Sequence, residues 1–377
     1  MDKIFQTDKQ ELDKLYASLH GVGIVVVTMG EGGKLVLRWA WESGIPVCGI
    51  CDNDEAKIGS MVDELTVLSV KEAVDKFGSG TCYLIATYNI VIYHQLYLQM
   101  QSLGIQGTKI LHLSLLENRW RVFDWTKTSI LCFLEKSKEK ILAVADMFED
   151  EHSREVYLKM LARFAHGYCF NVPEEYRSPV GYFYHEFLGL HEGEVLIQGG
   201  VYRGETIEEF IDVCPGYEAI YGFEADDINF EHARQNVQSE NVNLVLGAIC
   251  DSRGEMSFLR TGHTSSMLVH GGGTSVRGVR IDDFCRERDI APTIIQMDIE
   301  GAEMSALHGA RDSIMKYKPK LAICLYHSLC FEHVPLSDYW EIPIFVREIV
   351  PEYSFYVRND SLYSDNLQTV LYAVKKT

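Results

Sequence analysis

Residues 195–206 read VLIQGGVYRGET. An apolar run stops at Gln198, two glycines follow at once, and a third stands at Gly204 before helix-forming text. Strand, glycine turn and helix in this order open a βα unit. Glycine there lets the backbone approach a ligand that the helix N-terminus faces. The next apolar run, AIYGFEA, ends on Glu224, 20 residues after Gly204. A carboxylate at that strand end can accept from both hydroxyls of a ribose, each charge-assisted bond being worth roughly 1.5–3 kcal/mol. The set suits a nucleoside ligand at the carboxyl ends of parallel strands. An ordinary βα turn beside a surface acid is the alternative.

A third element bears on the choice. In TIIQMDIEGAE an apolar strand ends at Asp298, with Glu300 and Glu303 just beyond. In a parallel sheet this end opens onto the same crevice as the glycine turn, with Gln296 and Asp298 on one side of the strand. Three carboxylates there can bind a metal ion, take a proton or face a cationic centre. For Glu303 a plain helix-terminal charge is an equal reading, because GAEMSALHGARDSIMKY reads as one helix with acids first and bases last. KLAICLYH ends on Tyr326 and His327, and a histidine so placed can act as a general base near neutral pH. His263 and His270 flank a Gly/Ser/Thr-rich loop, but no cysteine or acid completes a ligand set, so both read as loop residues and no resident metal is expected.

Outward from this core the pattern repeats upstream. GIVVVT, then MGEGGKLVLRWAWESG, then IPVCGICDND read as strand, glycine turn with helix, and strand ending in acids. Gly30, Gly32, Gly33 and Asp52 have the layout of a nucleotide site, but Leu35 stands where the third glycine of the fingerprint belongs and Glu31 repels a pyrophosphate. A turn that binds nothing tightly is the competing reading. Cys48 and Cys51 form a CxxC that no second pair answers, and they read as strand residues. Two more βα pairs follow, in LTVLSVKEAVDKFG and CYLIATYNIVIYHQLYLQMQSLG. The predicted organisation is an N-terminal helix over 1–20, a Rossmann-like domain over 21–116, a helical linker or lid over 117–189, and a second domain over 190–377. The fold class is α/β with two doubly wound sheets. The aromatic stretch YCFNVPEEYRSPVGYFYHEF, residues 168–187, is either a wall for an acceptor or glue between linker and core.

Bulk composition narrows the function. The chain has 377 residues and a formal charge of −19, which argues against a phosphate-backbone binder and against adsorption on anionic lipid. No apolar run approaches the ~20 residues that span a bilayer, and the opening MDKIFQTDKQELDKLYASLH is polar, so a cytoplasmic protein with no membrane span is expected.

Taken together, LIQGGVYRGET, IYGFEADDINFEHARQN, GHTSSM, VRIDDF, IIQMDIEGAEMSALHGA, PKLAICLYH, WEIPIFV and TVLYAV resemble the FkbM-type methyltransferase family of Rossmann-like S-adenosylmethionine-dependent enzymes, over roughly Tyr182 to Val374. The resemblance implies a seven-stranded sheet with one reversed strand. It implies that Gly199, Gly200 and Gly204 face the methionine part of S-adenosylmethionine, Glu224 holds the ribose with Ala225 beside it, and Ala248 lies near the adenine. Asp298 would line the methyl-transfer site. An acid is usual in the family where Gln198 stands, so Gln198 is expected to offer the cofactor's ammonium a hydrogen bond without a charge. The implied reaction is O-methylation of a sugar or glycan-precursor hydroxyl. Asp298 or His327 would act as base, and Glu300 and Glu303 would orient groups or bind a cation. The N-terminal module, through DNDEAKIG, resembles nucleotide-binding-like domains attached to sugar-modifying enzymes. The competing classes are a non-catalytic nucleotide-binding or scaffold protein, and a dinucleotide-dependent oxidoreductase working from Gly30 to Asp52.

Overall fold

The computed structural model describes residues 2–87, 90–112, 130–165, 174–178, 181–260, 267–268, 273–327, 336–360 and 368–375. The fold is α/β, with mixed sheets in two compact units. The first unit comprises the chain up to Leu134 together with Leu158–Glu175. The second rests on Glu135–Tyr157, Tyr176–Leu362 and Leu367–Thr377.

The first sheet has six strands: β1 (Ile24–Val27), β2 (Val47–Asp52), β3 (Met61–Val62), β4 (Leu65–Ser69), β5 (Cys82–Ile85) and β6 (Ile110–His112). Their order is β3-β4-β2-β1-β5-β6, and all pairs are parallel except β3 with β4. The central strands β1 and β5 are buried on both faces, as expected inside a parallel sheet. Ile24 and Val26 pack with Val36, Leu37 and Trp39 of the helix Glu31–Glu42. Val25 and Val27 face the other way, onto Ala73 and Val74 and onto Tyr93 and Met100. Ser69 caps the helix Val70–Phe77 in a reciprocal box with Glu72, which sets where that strand stops and the helix begins.

The second unit holds β7 (Val195–Gly199), β8 (Ala219–Glu224), β9 (Val242–Leu246), β10 (Ala248–Ile249), β11 (Gly254–Leu259), β12 (Met267–Leu268), β13 (Thr274–Val279), β14 (Ile294–Met297), β15 (Lys320–Cys324), β16 (Tyr353–Asn359) and β17 (Thr369–Lys375). Seven of these form a sheet in the order β16-β17-β15-β14-β7-β8-β9. Strand β17 runs against both its neighbours and the other pairings are parallel, so one strand is reversed. A separate sheet, β10-β13-β11-β12, was not foreseen.

Two readings of the sequence are corrected. The apolar run VNLVLGAIC, which by its pattern alone reads as a single strand, divides at Gly247, whose amide donates to the carbonyl of Glu224 at 2.8 Å, and the halves enter different sheets. The helix expected after Glu303 is two, Glu303–Gly309 and Arg311–Tyr317. Gly309 lies against the Cys250 carbonyl, where a Cβ would come within 2.1 Å, and Asp282 accepts from the amides of Asp312 and Ser313 to start the second helix. Among the described residues no helix is long and apolar enough to cross a membrane.

Candidate active site at the carboxyl ends of the second sheet

Register brings the sequence-predicted residues to one edge. Gln198 of β7 pairs with Gln296 of β14, and Gly199 pairs with Met297 on one side and Phe223 on the other. The Asp298 amide donates to the Gly199 carbonyl at 3.1 Å. Gly200 then turns at φ +81°, and a Cβ there would lie 1.9 Å from the Asp298 carbonyl oxygen. Only glycine permits both the left-handed turn and this approach. The glycine pair of VLIQGGVYRGET is therefore what seats the turn on the strand end that carries Asp298.

Glu224 holds the same turn from the other side. Its carboxylate accepts from the amides of Tyr202 at 2.7 Å and Asp226 at 2.9 Å. Burial pushes its pKa up to about 7 against the pull of these amides. Each oxygen keeps a second lone pair. Gln198 is fully buried, and its Oε1 has no partner. Gly204 starts the helix Glu205–Val213 at φ +103°, and the side chain of Val237 fills the space a Cβ would need. Ala225 lines a cavity of about 190 Å³ with Leu246, Phe258 and Val276. Ala248 is buried in the apolar cluster that shares Phe258 and Val276.

Around Asp298 the chain assembles a polar group from distant segments. Tyr182 donates to Asp298 Oδ2 at 2.7 Å and Tyr326 to Oδ1 at 3.1 Å. His327 Nδ1 lies 2.6 Å from Glu303 Oε1. The other Glu303 contacts are the amides of Ile299 at 2.9 Å and Gly301 at 3.0 Å. Glu303 is thus more than a helix-end charge: it is fully buried, closes the turn after β14 and fixes the imidazole ring. His327 Nε2 points to Asp298 Oδ1 at 3.2 Å and Glu300 Oε2 at 3.9 Å. It is close enough to pair electrostatically, yet outside hydrogen-bond geometry. Glu300 sits at φ +54°, an uncommon conformation for a non-glycine residue.

The electrostatics follow from crowding. Burial pulls the His327 pKa down, but the charges of Glu303 and Asp298 outweigh it and hold it well above its ordinary value. Burial raises Asp298, and its contacts with His327, Tyr182 and Tyr326 more than reverse that. Burial pushes Glu300 up to about 7, with His327 opposing and Asp298 and Glu303 adding to it. Asp338, which sequence reading passed over, is likewise held at about 7 by burial and the charge of Glu303, with His327 opposing. Tyr182 was visible only as one of many aromatics. No local signal ties it to a residue 116 positions away.

The N-terminal glycine cluster looks different. A Cβ at Gly32 would meet the Ala86 carbonyl at 2.2 Å, and one at Gly33 the Thr28 carbonyl at 2.3 Å. Asp52 is occupied by the amides of Met29 and Asp54 and by Lys57 Nζ at 3.0 Å. Internal packing accounts for these residues, and a nucleotide here is not supported. Cys51 is buried and Cys48 half-buried on β2, both as free thiols. His263 and His270 lie outside the described residues.

Residues 198–355 match the family model described as methyltransferase FkbM domain. The chain carries a methyltransferase FkbM domain. The FkbM domain begins at Gln198, inside VLIQGGVYRGET, and takes in β8, Asp298 and His327. Among solved structures, methyltransferase FkbM from Methylobacillus flagellatus KT is similar over 98% of this chain and 99% of its own, at 20% identity and a TM-score of 0.62, and so has the same fold. Precorrin-6y C5,15-methyltransferase from Geobacter metallireducens GS-15 matches over 51% of this chain and 84% of its own, at 12% identity and a TM-score of 0.32. Fibrillarin from Aeropyrum pernix, in complex with S-adenosyl-L-methionine, matches over 50% and 72%, at 15% identity and the same TM-score. These two likenesses are too distant to bear on function. No curated protein sequence matches the chain at a significant level.

Proposed function

We propose that the FkbM domain is an S-adenosylmethionine-dependent O-methyltransferase acting on a sugar or glycan-precursor hydroxyl. The observation that supports it best is the seating of the Gly199–Gly200 turn against Asp298, with Glu224 bracing the turn from β8. A cofactor site and a polar reaction group then share one sheet edge.

The residues fit the cofactor chemically. Gln198 Oε1 is a buried acceptor without a partner, suited to an ammonium donor. The remaining lone pairs of Glu224 suit a ribose diol. The cavity offers Ala225, Leu246 and Phe258 as an apolar face for an adenine ring, with Asp227, Arg260 and Arg277 beside it for polar contacts. When bound, S-adenosylmethionine supplies a methyl group on a sulfonium, open to in-line displacement by an oxygen.

The chain's own residues have the acceptor to prepare. Both Asp298 oxygens already hold a phenol, so Asp298 orients more than it takes a proton. The atom open toward a hydroxyl is Glu300 Oε2, which receives its proton, while His327, held protonated between Glu303 and Asp298, orients the group. Glu303 is a positioning residue that acts through the imidazole.

The test uses isotope-labelled cofactor with the full chain and a panel of nucleotide sugars and glycan precursors. Label should pass to a sugar acceptor and be lost in Asp298→Ala and His327→Ala. Unchanged activity in both variants overturns the role assignment. Absence of S-adenosylmethionine binding at millimolar concentration favours the scaffold reading.

A further inference from the structure

Asp298, Glu300 and His327 each turn one ligand atom toward the others, and the three atoms lie within 4.8 Å of one another. We infer that they form a binding site for a first-row divalent cation of the Mn2+ type. The inference deepens the reading above and rests on it for function: a bound cation would lower the pKa of a coordinated acceptor hydroxyl, whose proton would pass to Glu300 or solvent water.

Three observations carry the site. The first is His327 Nε2 itself. The side chain is 3% exposed, and the atom has no hydrogen-bond partner although two carboxylate oxygens face it. A buried polar atom left in this state calls for an occupant. The second is the support behind each ligand. A metal-bound histidine commonly donates its other N–H to a carboxylate, and a ligating carboxylate is itself held by hydrogen bonds. Glu303 lies 2.6 Å from His327 Nδ1, so Nδ1 keeps its proton and Nε2 is the atom that would exchange its own for a cation. Tyr182 and Tyr326 hold Asp298.

The third is charge and spacing. Asp298, Glu300, Glu303 and Asp338 surround one imidazole, and among the described residues no lysine or arginine pairs with any of them. Six-coordinate bonds of about 2.1 Å set donor atoms about 3.0 Å apart when adjacent and about 4.2 Å apart when opposite. The observed separations from Nε2, 3.2 and 3.9 Å, fall within that span. One nitrogen with two carboxylates suits Mn2+ better than Ca2+, which prefers oxygen alone. Glu300 and Asp298 are 23% and 25% exposed, so open coordination positions can face an acceptor. The sequence gives no ligand spacing to read, because His327 arrives from the next strand.

The experiment titrates Mn2+ into the chelator-treated full chain without cofactor and follows free Mn2+ by electron paramagnetic resonance. One saturable Mn2+ per chain is expected, with nitrogen hyperfine coupling from the imidazole. Glu300→Gln and His327→Gln should each weaken binding by about ten- to a hundredfold. Glu31→Gln, an exposed acid in the first unit, should leave it unchanged. Absence of saturable binding up to about 1 mM overturns the inference. So does Mn2+ bound without nitrogen coupling, a readout on the unaltered chain that does not depend on any variant folding. S-adenosylmethionine binding is measured by calorimetry on the same sample. Cofactor binding without Mn2+ sinks the cation site alone, and Mn2+ binding without cofactor sinks the methyltransferase reading alone.

Discussion

The hydroxyl of Tyr182 donates to Asp298 Oδ2 at 2.7 Å, across 116 residues of sequence. The bond joins the segment before β7 to the end of β14, at the strand end where the FkbM domain gathers its acids. Tyr182 is 7% exposed, so little water is available to replace the bond.

Tyr182→Phe should therefore impair the site more than the fold. Removing a hydrogen bond to a buried charge costs about 1.5–3 kcal/mol, roughly ten- to a hundredfold in kcat where Asp298 orients the acceptor. Steady-state methyl transfer checks this, beside thermal unfolding. A large fall in Tm with kcat unchanged would contradict it.

Gly200→Ala should destabilise the domain by at least about 2 kcal/mol, because the turn is left-handed and the new Cβ would overlap the Asp298 carbonyl. Gly30→Ala, with no atom within 4 Å of the added Cβ and a negative φ, should shift stability by less than about 1 kcal/mol. Urea denaturation of both variants separates a turn that the fold requires from one that tolerates a side chain.

Gln198→Asp should tighten S-adenosylmethionine binding by roughly tenfold, since a charged acceptor for an ammonium is stronger than a neutral one. Calorimetry measures it. Unchanged or weaker binding means that the orphaned Gln198 Oε1 does not face the ammonium.

Glu209 gives a pH signature apart from the reaction group. Burial pushes its pKa up to about 7, with the Phe183 amide opposing and the charge of Asp360 adding to it. The ordinary value is 4.5, so the folded chain holds a proton between about 4.5 and 7 that the unfolded chain releases. Its stability contribution is full below the lower value and is lost as pH rises through the upper one. Glu209→Gln removes this loss. The variant should match the parent near pH 5 and exceed it at pH 8 by on the order of 1–2 kcal/mol. Denaturation at the two pH values tests it, and a pH-independent difference would rule it out.

Much of this architecture was legible in order along the chain. Short apolar runs such as GIVVVT and TIIQMDI read as strands buried on two faces, the pattern of a parallel sheet, and β1 and β14 are such strands. YSFYVRN and TVLYAVKK, two strand-like runs separated by polar text, form the antiparallel pair β16 and β17. Breaks inside a periodic run were not legible. Gly247 and Gly309 interrupt their elements because of what packs on them, and a single strand or helix pattern cannot display that.

The sequence alone determined which strand ends carry polar groups: Gln198 with its glycines, Glu224, Asp298 and His327 each follow an apolar run that hydrophobic burial places in a sheet. Only tertiary structure decided how those ends meet. Strand order set β14 between β7 and β15, which brought His327 beside Asp298 and Glu300 and turned Glu303 inward as the partner of Nδ1. Tyr182 and Asp338 joined through packing of segments far apart in the chain. The physical reason is range. Burial and turn conformation are encoded within a few residues, whereas a hydrogen bond or shared charge in a low-dielectric site depends on which distant segments the fold brings within about 4 Å.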